Sequence, residues 1–369
     1  MLVFLISLIV SFFAVMLIIR LKDRHSKYSY DDDIQGIQKF HYQFVPRVGG
    51  LALIVSILIS LVVQLISNWE VGKFGLTLCA SSLPIFLVGF AEDLTKAIKV
   101  KWRLIAAVFS SALMGHLMGG WLQSLQIIGL DDLISSYFMF AICITCFAVA
   151  GITNAFNIID GFNGLSSMVG FIILSAIAYV SCQVNDQAIM VCSFAMMGAL
   201  LGFFVWNFPR GLIFLGDGGA YLIGFWIGAL SILLTNRNPD VSKWFPFLLC
   251  IYPVFETLFT IYRRLILRRS NPSLPDASHL HQLIHHRLVK WHLGSSRIED
   301  KLTRNSLTSP YLWALTIISV IPALLFWRYH LVLKVFTVLF AVGYFILYRS
   351  ILRFAAPKWM IISNNPNQR

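Results

Sequence analysis

Five places in this 369-residue chain put polar side chains where the flanking sequence is almost wholly apolar. They are Glu92-Asp93; the run Gly151-Ile-Thr-Asn-Ala-Phe-Asn-Ile-Ile-Asp-Gly-Phe-Asn-Gly164, with Asn154, Asn157, Asp160 and Asn163; Asp217 in Phe214-Leu-Gly-Asp-Gly-Gly219; Glu256; and the histidines His279, His281, His285 and His286. Such groups cost free energy in apolar surroundings unless they are satisfied or used. Asn154, Asn157 and Asp160 recur at i, i+3 and i+6, which puts them on one face of a helix, and Gly161 and Gly164 then loosen the backbone. Capping of a helix end is the structural alternative for this set. Gly216-Asp217-Gly218-Gly219 brings a carboxylate to backbone that a ligand can approach closely, with a plain turn as its alternative. Acids with few Cys or paired His–acid partners suit a hard cation, since Mg²⁺ takes one or two protein carboxylates plus substrate phosphates. His281 and His285, at i and i+4, have zinc-pair spacing, but no Cys or acid is placed to complete a site. A basic loop that recognises a diphosphate, or one that is merely solvated, accounts for the histidines better. Arg263, Arg264, Arg268 and Arg269 beside them are equally explained as ordinary cytoplasmic positive charge.

The elements that must carry these residues are dictated by composition. Hydrophobic residues make up 58% of the chain and charged residues 12%, with a mean hydropathy of +0.76. A soluble domain carries about 25% charged residues, so stretches long enough to cross a bilayer are expected. The six cysteines all fall inside apolar runs, and Cys143 and Cys146, although a CxxC, lie mid-span; both facts fit buried small residues and not a disulfide framework or metal site. A net charge of +12 is compatible with nucleic-acid binding, but cytoplasmic loops of a membrane protein produce the same excess.

Apolar runs predict eleven membrane-spanning helices, near 1–19, 48–67, 74–91, 103–121, 136–153, 164–183, 188–206, 212–235, 244–262, 310–327 and 330–348. Spans of about 20 residues match a hydrocarbon core of about 30 Å at about 1.5 Å per residue. The first run has no basic residue before it and four after it (Arg20, Lys22, Arg24, Lys27), the reverse of a cleaved signal peptide. The N-terminus is therefore expected outside and the C-terminus in the cytoplasm. Alternation then leaves 24 of the 29 Lys and Arg on the cytoplasmic side and 5 outside, a strong positive-inside bias and no sign of nucleic acid as partner. The expected fold is an all-α integral membrane bundle forming one polytopic domain over 1–369. Its cytoplasmic segments are 20–47, 92–103, 154–163, 207–211 and 263–309. Small-residue spacings at Gly115/Gly119, Gly198/Gly202 and Gly224/Gly228 fit close helix packing.

By this alternation all five polar places lie at or near the cytoplasmic surface, Glu256 about 10 Å below it, seven residues before Arg263. A transporter is expected to hold its substrate near the midplane between broken helices. Acids gathered near one interface instead suit a site where a water-soluble reactant meets a membrane-embedded one. A carrier or flippase of a lipid-linked sugar, or a silent scaffold, are the rival classes.

Taken together, the motifs resemble the polyprenyl-phosphate N-acetylhexosamine-1-phosphate transferases, from Pro46-Arg-Val-Gly-Gly50 to His286. Pro275-Asp-Ala-Ser-His-Leu-His281 looks closer to the O-antigen and common-antigen branch than to the peptidoglycan branch. The resemblance implies transfer of a sugar 1-phosphate from a UDP-N-acetylhexosamine to undecaprenyl phosphate, with release of UMP, in a bacterial inner membrane. It also implies dependence on Mg²⁺, with Mn²⁺ as a substitute, and a homodimer. Carried over by position, Asp217 and Asp160 match the metal-associated acids, and Glu92, Asp93 and Asp160 the catalytic acids. Asn154, Asn157, Asn163, His279, His281, Arg264 and Lys101 are then expected to bind substrate. Glu256, in Pro253-Val-Phe-Glu-Thr257, stands where relatives often carry an acid before Thr. Two departures matter: Glu92 replaces the first Asp of an Asp-Asp pair, and Asn163 replaces the second acid of an Asp-Gly-x-Asp-Gly pattern and cannot be an anionic ligand or a base.

Overall fold

The computed structural model describes residues 1–21, 45–267, 279–289 and 298–353, with side chains from 305 onward in the last stretch. Most of segment 20–47, residues 268–278 with Arg268, Arg269 and Pro275–Ser278, residues 290–297 and the tail from 354 lie outside the described residues. The described chain is all-helical, with no β-strand. In order it forms α1 (Leu2–Arg20), α2 (Gly49–Ser67), α3 (Trp69–Thr95), α4 (Val100–Met118), α5 (Leu130–Ser136), α6 (Phe138–Ile159) and α7 (Leu165–Gln183). It continues with α8 (Gln187–Asn207), α9 (Gly216–Arg237), α10 (Trp244–Leu249), α11 (Ile251–Tyr262), α12 (Leu280–Ile284), α13 (Ile298–Leu325) and α14 (His330–Leu352). Single turns of wider π-helix, Arg263–Leu267 and His285–Val289, follow α11 and α12.

Helix forms at all eleven expected positions, and nine of the described helices are long and apolar enough to cross a membrane. The chain is a multi-pass membrane bundle. Two expected spans fall short of that measure, each for a definite reason. α4 carries Lys101, Arg103 and His116 along its length. The 244–262 segment is divided at Cys250 into α10 and α11. Pro253 has no N–H to give the Leu249 carbonyl four residues earlier, and its ring crowds that carbonyl. Two stretches expected as connections are also largely helical: α6 runs to Ile159, so Asn154 and Asn157 lie on its last turns, and α3 runs to Thr95.

Without a hydrophobic force between helices in lipid, the bundle is held by close packing and by side-chain hydrogen bonds. α9 is the axis: its spanning window is wholly buried. Glycines let neighbours reach its backbone. A Cβ on Gly50 of α2 would collide with the backbone of Gly219, and one on Gly89 of α3 with that of Gly218. Gly224 likewise sits against Thr153 of α6. At the periphery Ser7 and Ser11 of α1 donate to the carbonyls of Ala195 and Ala199 on α8, both at 2.7 Å, while Gly198 and Gly202 admit the α1 backbone. Gly119 differs from the expected packing role. It ends α4 in the left-handed region, φ +63°, with open space where a Cβ would stand.

This packing predicts a contrast between two glycines. Gly50→Ala forces a methyl against the Gly219 backbone and is expected to destabilise by about 1–3 kcal/mol, the usual cost of overpacking. Gly343→Ala, on α14 with open space around it, should leave the thermal midpoint unchanged or slightly raised. Equal midpoints for the two variants in detergent would sink the proposed close crossing.

Candidate active site

α9 begins inside the protein, so its first backbone N–H groups need partners. Asp93, near the end of α3, provides them: Oδ1 accepts the Asp217 N–H at 2.7 Å and Oδ2 the Gly218 N–H at 3.0 Å. The carboxylate is 2% exposed and lies where the helix dipole favours an anion. Gly216 makes the entering turn at φ +77°, and a Cβ there would run into both the Asp93 carboxylate and the Arg47 carbonyl. Backbone bonds close the other side. Phe214 N–H donates to Pro46 at 2.8 Å, Gly49 N–H to Phe214 at 3.0 Å, and Gly50 N–H to Leu215 at 2.9 Å. The glycine motifs around 46–50 and 214–219, far apart in sequence, thus form one structure.

That structure presents the Asp217 side chain to three elements. Arg103 of α4 donates to its Oδ2 at 2.6 Å. On the other oxygen, Asn157 Nδ2 of α6 donates at 3.1 Å and Arg47 NH2 stands 3.6 Å away. Arg47 also lies 3.9 Å from Asp93, so two arginines offset two acids. Tyr221, one turn along α9, donates its hydroxyl to Asn157 Oδ1 at 3.4 Å and so orients that amide. Asp160 closes α6 and accepts a hydrogen bond from the Ser166 hydroxyl. Part of the Asp160 surface is open, yet the protein crowded around its carboxyl pushes its pKa up to about 7. The Ser166 hydrogen bond opposes that shift, the Asp217 charge adds to it, and Arg47 opposes it again. A cation held between Asp160 and Asp217 would draw Asp160 back to its ionised form.

The remaining expected residues divide. Glu92 turns its carboxylate to the Ile98 N–H at 2.6 Å, closing the chain reversal after α3. Asn154 donates to the Ala150 carbonyl one turn back on its own helix. Asn163 is buried, with its N–H on Asn305 Oδ1, its Nδ2 on the Pro209 carbonyl and its own carbonyl accepting from Ser309. It knits α13 and the α8–α9 connection to the turn after α6, so the departure from Asp at this position coincides with fold contacts. Lys101 is exposed, its amine 5.4 Å from the Trp102 ring centre, and Arg264 is buried in the π-turn after α11.

The histidine segment, expected as a basic loop that recognises a diphosphate or is merely solvated, has His279, His281 and His285 buried and His286 exposed. His279 places Nδ1 3.0 Å from Glu256 Oε1 and 3.2 Å from the Thr260 hydroxyl. Its ring stacks on His281 with centres 5.2 Å apart. His281 is 2% exposed, its Nδ1 has no partner, and its Nε2 faces the open side of Gly161, next to Asp160. Burial, reinforced by the neighbouring His279, pushes its pKa down to about 3 against the pull of Glu256. Burial thus favours the neutral imidazole at His281.

Asp93, Asn157, Asp160 and Asp217 are thus brought together from three helix ends, those of α3, α6 and α9, and Arg47, Arg103, Tyr221 and Ser166 join them without having been singled out. Arg103 had a readable signal: it is the last cation before the apolar run of α4, a charge already inside a span. Lys101, two residues earlier, points to the opposite side of the helix. Among the described residues no three His, Cys, Asp or Glu side chains converge as a ready-made metal cage. Two carboxylates with an adjacent amide, all hard oxygen donors, nevertheless fit a magnesium-type ion whose shell is completed by substrate phosphates.

Residues 75–235, the stretch from α3 to α9 that carries most of this cluster, match the family model described as glycosyl transferase family 4. Across 291 residues the chain is 30% identical to a probable undecaprenyl-phosphate N-acetylglucosaminyl 1-phosphate transferase of Bacillus subtilis, covering 78% of each protein. It is 27% identical over 256 residues to the undecaprenyl-phosphate alpha-N-acetylglucosaminyl 1-phosphate transferase of Thermotoga maritima, covering 69% of this chain and 72% of that one. A phospho-N-acetylmuramoyl-pentapeptide-transferase of Streptococcus pneumoniae is 33% identical over 219 residues, 58% of this chain and 64% of its own. With the motifs assembled around Asp217 and similarity running well beyond the matched segment, the chain belongs to glycosyl transferase family 4.

Proposed function

We propose that this chain transfers an N-acetylhexosamine 1-phosphate from its UDP derivative to undecaprenyl phosphate, at the cytoplasmic face of a bacterial inner membrane. The observation that carries this reading is the Asp217 carboxylate held among Asp160, Asn157, Arg47 and Arg103 at the ends of apolar helices. That is a compact, charge-balanced place for phosphates beside a lipid phase. The names of the relatives support the lipid acceptor, and they make UDP-N-acetylglucosamine the first donor to try. Initiation of an O-antigen or related surface polysaccharide is the role that fits the resemblance of the histidine segment.

In the reaction a phosphate oxygen of the lipid attacks the sugar-bearing phosphorus of the donor. The pyrophosphate P–O bond breaks, UMP leaves, and a lipid diphosphate sugar is formed. A phosphate monoester has a second pKa near 6 and is largely dianionic at neutral pH, so the acceptor needs alignment and charge neutralisation more than a strong base. Asp217 and Asp160 would hold Mg²⁺, or Mn²⁺, whose chemistry there is to neutralise and orient the diphosphate. Arg103 and Arg47 are cations that can exchange a carboxylate for a phosphate at little cost, because both ligands suit the guanidinium fork. Asn157, oriented by Tyr221, holds Asp217 in place. Asp93 is read as the positioning acid of α9 and not as the base, since both of its oxygens already accept backbone N–H groups.

Three outcomes are expected. Purified protein given undecaprenyl phosphate, Mg²⁺ and a panel of UDP-N-acetylhexosamines should release UMP only when lipid and metal are both present. Asp217→Asn should cut turnover by at least about 10²-fold, the scale for removing one preorganised charged group, without unfolding the protein. Near-normal UMP release by folded Asp217→Asn removes it from the metal role. Asp93→Asn should lower stability by about 1–3 kcal/mol, because its amide faces a backbone donor. If Asp93→Asn lost activity at unchanged stability, Asp93 would be a base after all. A fourth expectation concerns acid. The imidazole of His281 titrates near 6.5 in the unfolded chain but at about 3 in the fold, so between those values the unfolded state binds more protons. Stability should therefore fall as pH drops from about 6.5, and His281→Asn should flatten that dependence in thermal scans; an unchanged slope would show that His281 is not held neutral.

A further inference from the structure

Glu256 lies 0% exposed on α11, outside the Asp217 cluster, and nothing in the transfer chemistry above uses it. A buried carboxylate is costly unless its oxygens are filled, and here they are filled from three directions. Oε1 receives the Leu280 N–H at 3.0 Å and stands 3.0 Å from His279 Nδ1. Oε2 receives the Tyr344 hydroxyl of α14 at 2.5 Å. The Leu280 N–H is one of the orphan donors at the start of α12, so Glu256 anchors that five-residue helix where it begins. The other anchors are local: Gln282 Oε1 accepts the His279 N–H at 3.3 Å. With Nδ1 within hydrogen-bonding distance of Glu256 and Thr260, the orientation of the His279 ring is fixed, and Nε2 is the ring nitrogen that these two partners do not engage. Stacking of His279 on His281 carries the same anchoring to the ring beside Gly161 and Asp160.

A carboxylate on one ring nitrogen of a histidine sets its tautomer and orientation and makes the other nitrogen the working one. We propose that Glu256 is a positioning residue for the donor end of the site: it holds His279 by Nδ1 so that Nε2 meets the phosphates or uridine of a nucleoside diphosphate sugar. This rests on the transferase reading given above. Tyr344 and Thr260 serve the carboxylate–histidine pair, which couples α14 to the donor side while leaving the lipid acceptor untouched.

The test is a double-mutant cycle on full-length protein in detergent, reading kinetic constants for UDP-N-acetylglucosamine and for undecaprenyl phosphate separately. Glu256→Gln keeps shape but removes the charge that fixes the imidazole. It should raise the donor KM roughly 10-fold or more, as expected for loss of a charge-assisted hydrogen bond, with the acceptor KM unchanged. His279→Ala should do the same, and the double variant should be no worse than His279→Ala alone, since one interaction is lost in both. Glu256→Asp, which keeps the charge one methylene short, serves if Glu256→Gln does not fold, and it too should raise the donor KM. A wild-type donor KM in folded Glu256→Gln or Glu256→Asp overturns the proposal while leaving the transferase reading intact, as do effects that multiply in the double variant. Wild-type protein that releases no UMP with any donor overturns the transferase reading, and this proposal with it.

Discussion

The Asp93 carboxylate on the first N–H groups of α9 is the contact on which the rest depends. A helix that starts inside a membrane bundle brings backbone donors into a place with no water to satisfy them, and each one left unpaired costs several kcal/mol. A charged acceptor from a neighbouring helix solves this, and it does so only in one register of α3 against α9. Fixing that register fixes Gly89 against Gly218, and the backbone bonds of 46–50 to 214–215 fix α2 in turn. Asp217 then emerges from the same turn whose N–H it gives to Asp93. The acid that would face substrate and the acid that organises the fold are parts of one device.

Charge balance follows from that geometry. Asp93 of α3 and Asp217 of α9 repel each other across the helix contact, and Arg47, just ahead of α2, and Arg103 of α4 offset them. Asp160 is pushed up to about 7, chiefly by burial with the Asp217 charge adding to it, and an added cation beside it would favour its ionised form. A resting site built from paired charges keeps the bundle stable without ligand and still offers phosphate-binding arginines when anions arrive. Glu256 repeats the principle on the other flank, where one buried carboxylate gathers α11, α12 and α14 around the histidines.

The sequence by itself determined the class of molecule and the kind of chemistry. Apolar run lengths decide membrane helices because the bilayer thickness admits few alternatives, and all eleven positions are helical. Acids and amides in apolar surroundings are legible because the membrane penalises them, so Asp93, Asn157, Asp160 and Asp217 could be picked out without coordinates. Tertiary structure alone decided which polar groups face the site and which serve the fold. Glu92 and Asn163 carry the motif spacing, yet one closes a turn and the other knits α13 to the turn after α6. Arg103 and Lys101 are near-identical in sequence context and opposite in placement, because two residues of helix turn a side chain to the other side. His279 and His281 read as part of a basic loop, and nothing local to them shows that Glu256, 23 residues before the first of them, takes its Nδ1 inside the bundle. Charge, length and spacing are local properties of a chain, whereas the partner of a carboxylate is chosen by where two distant helices cross.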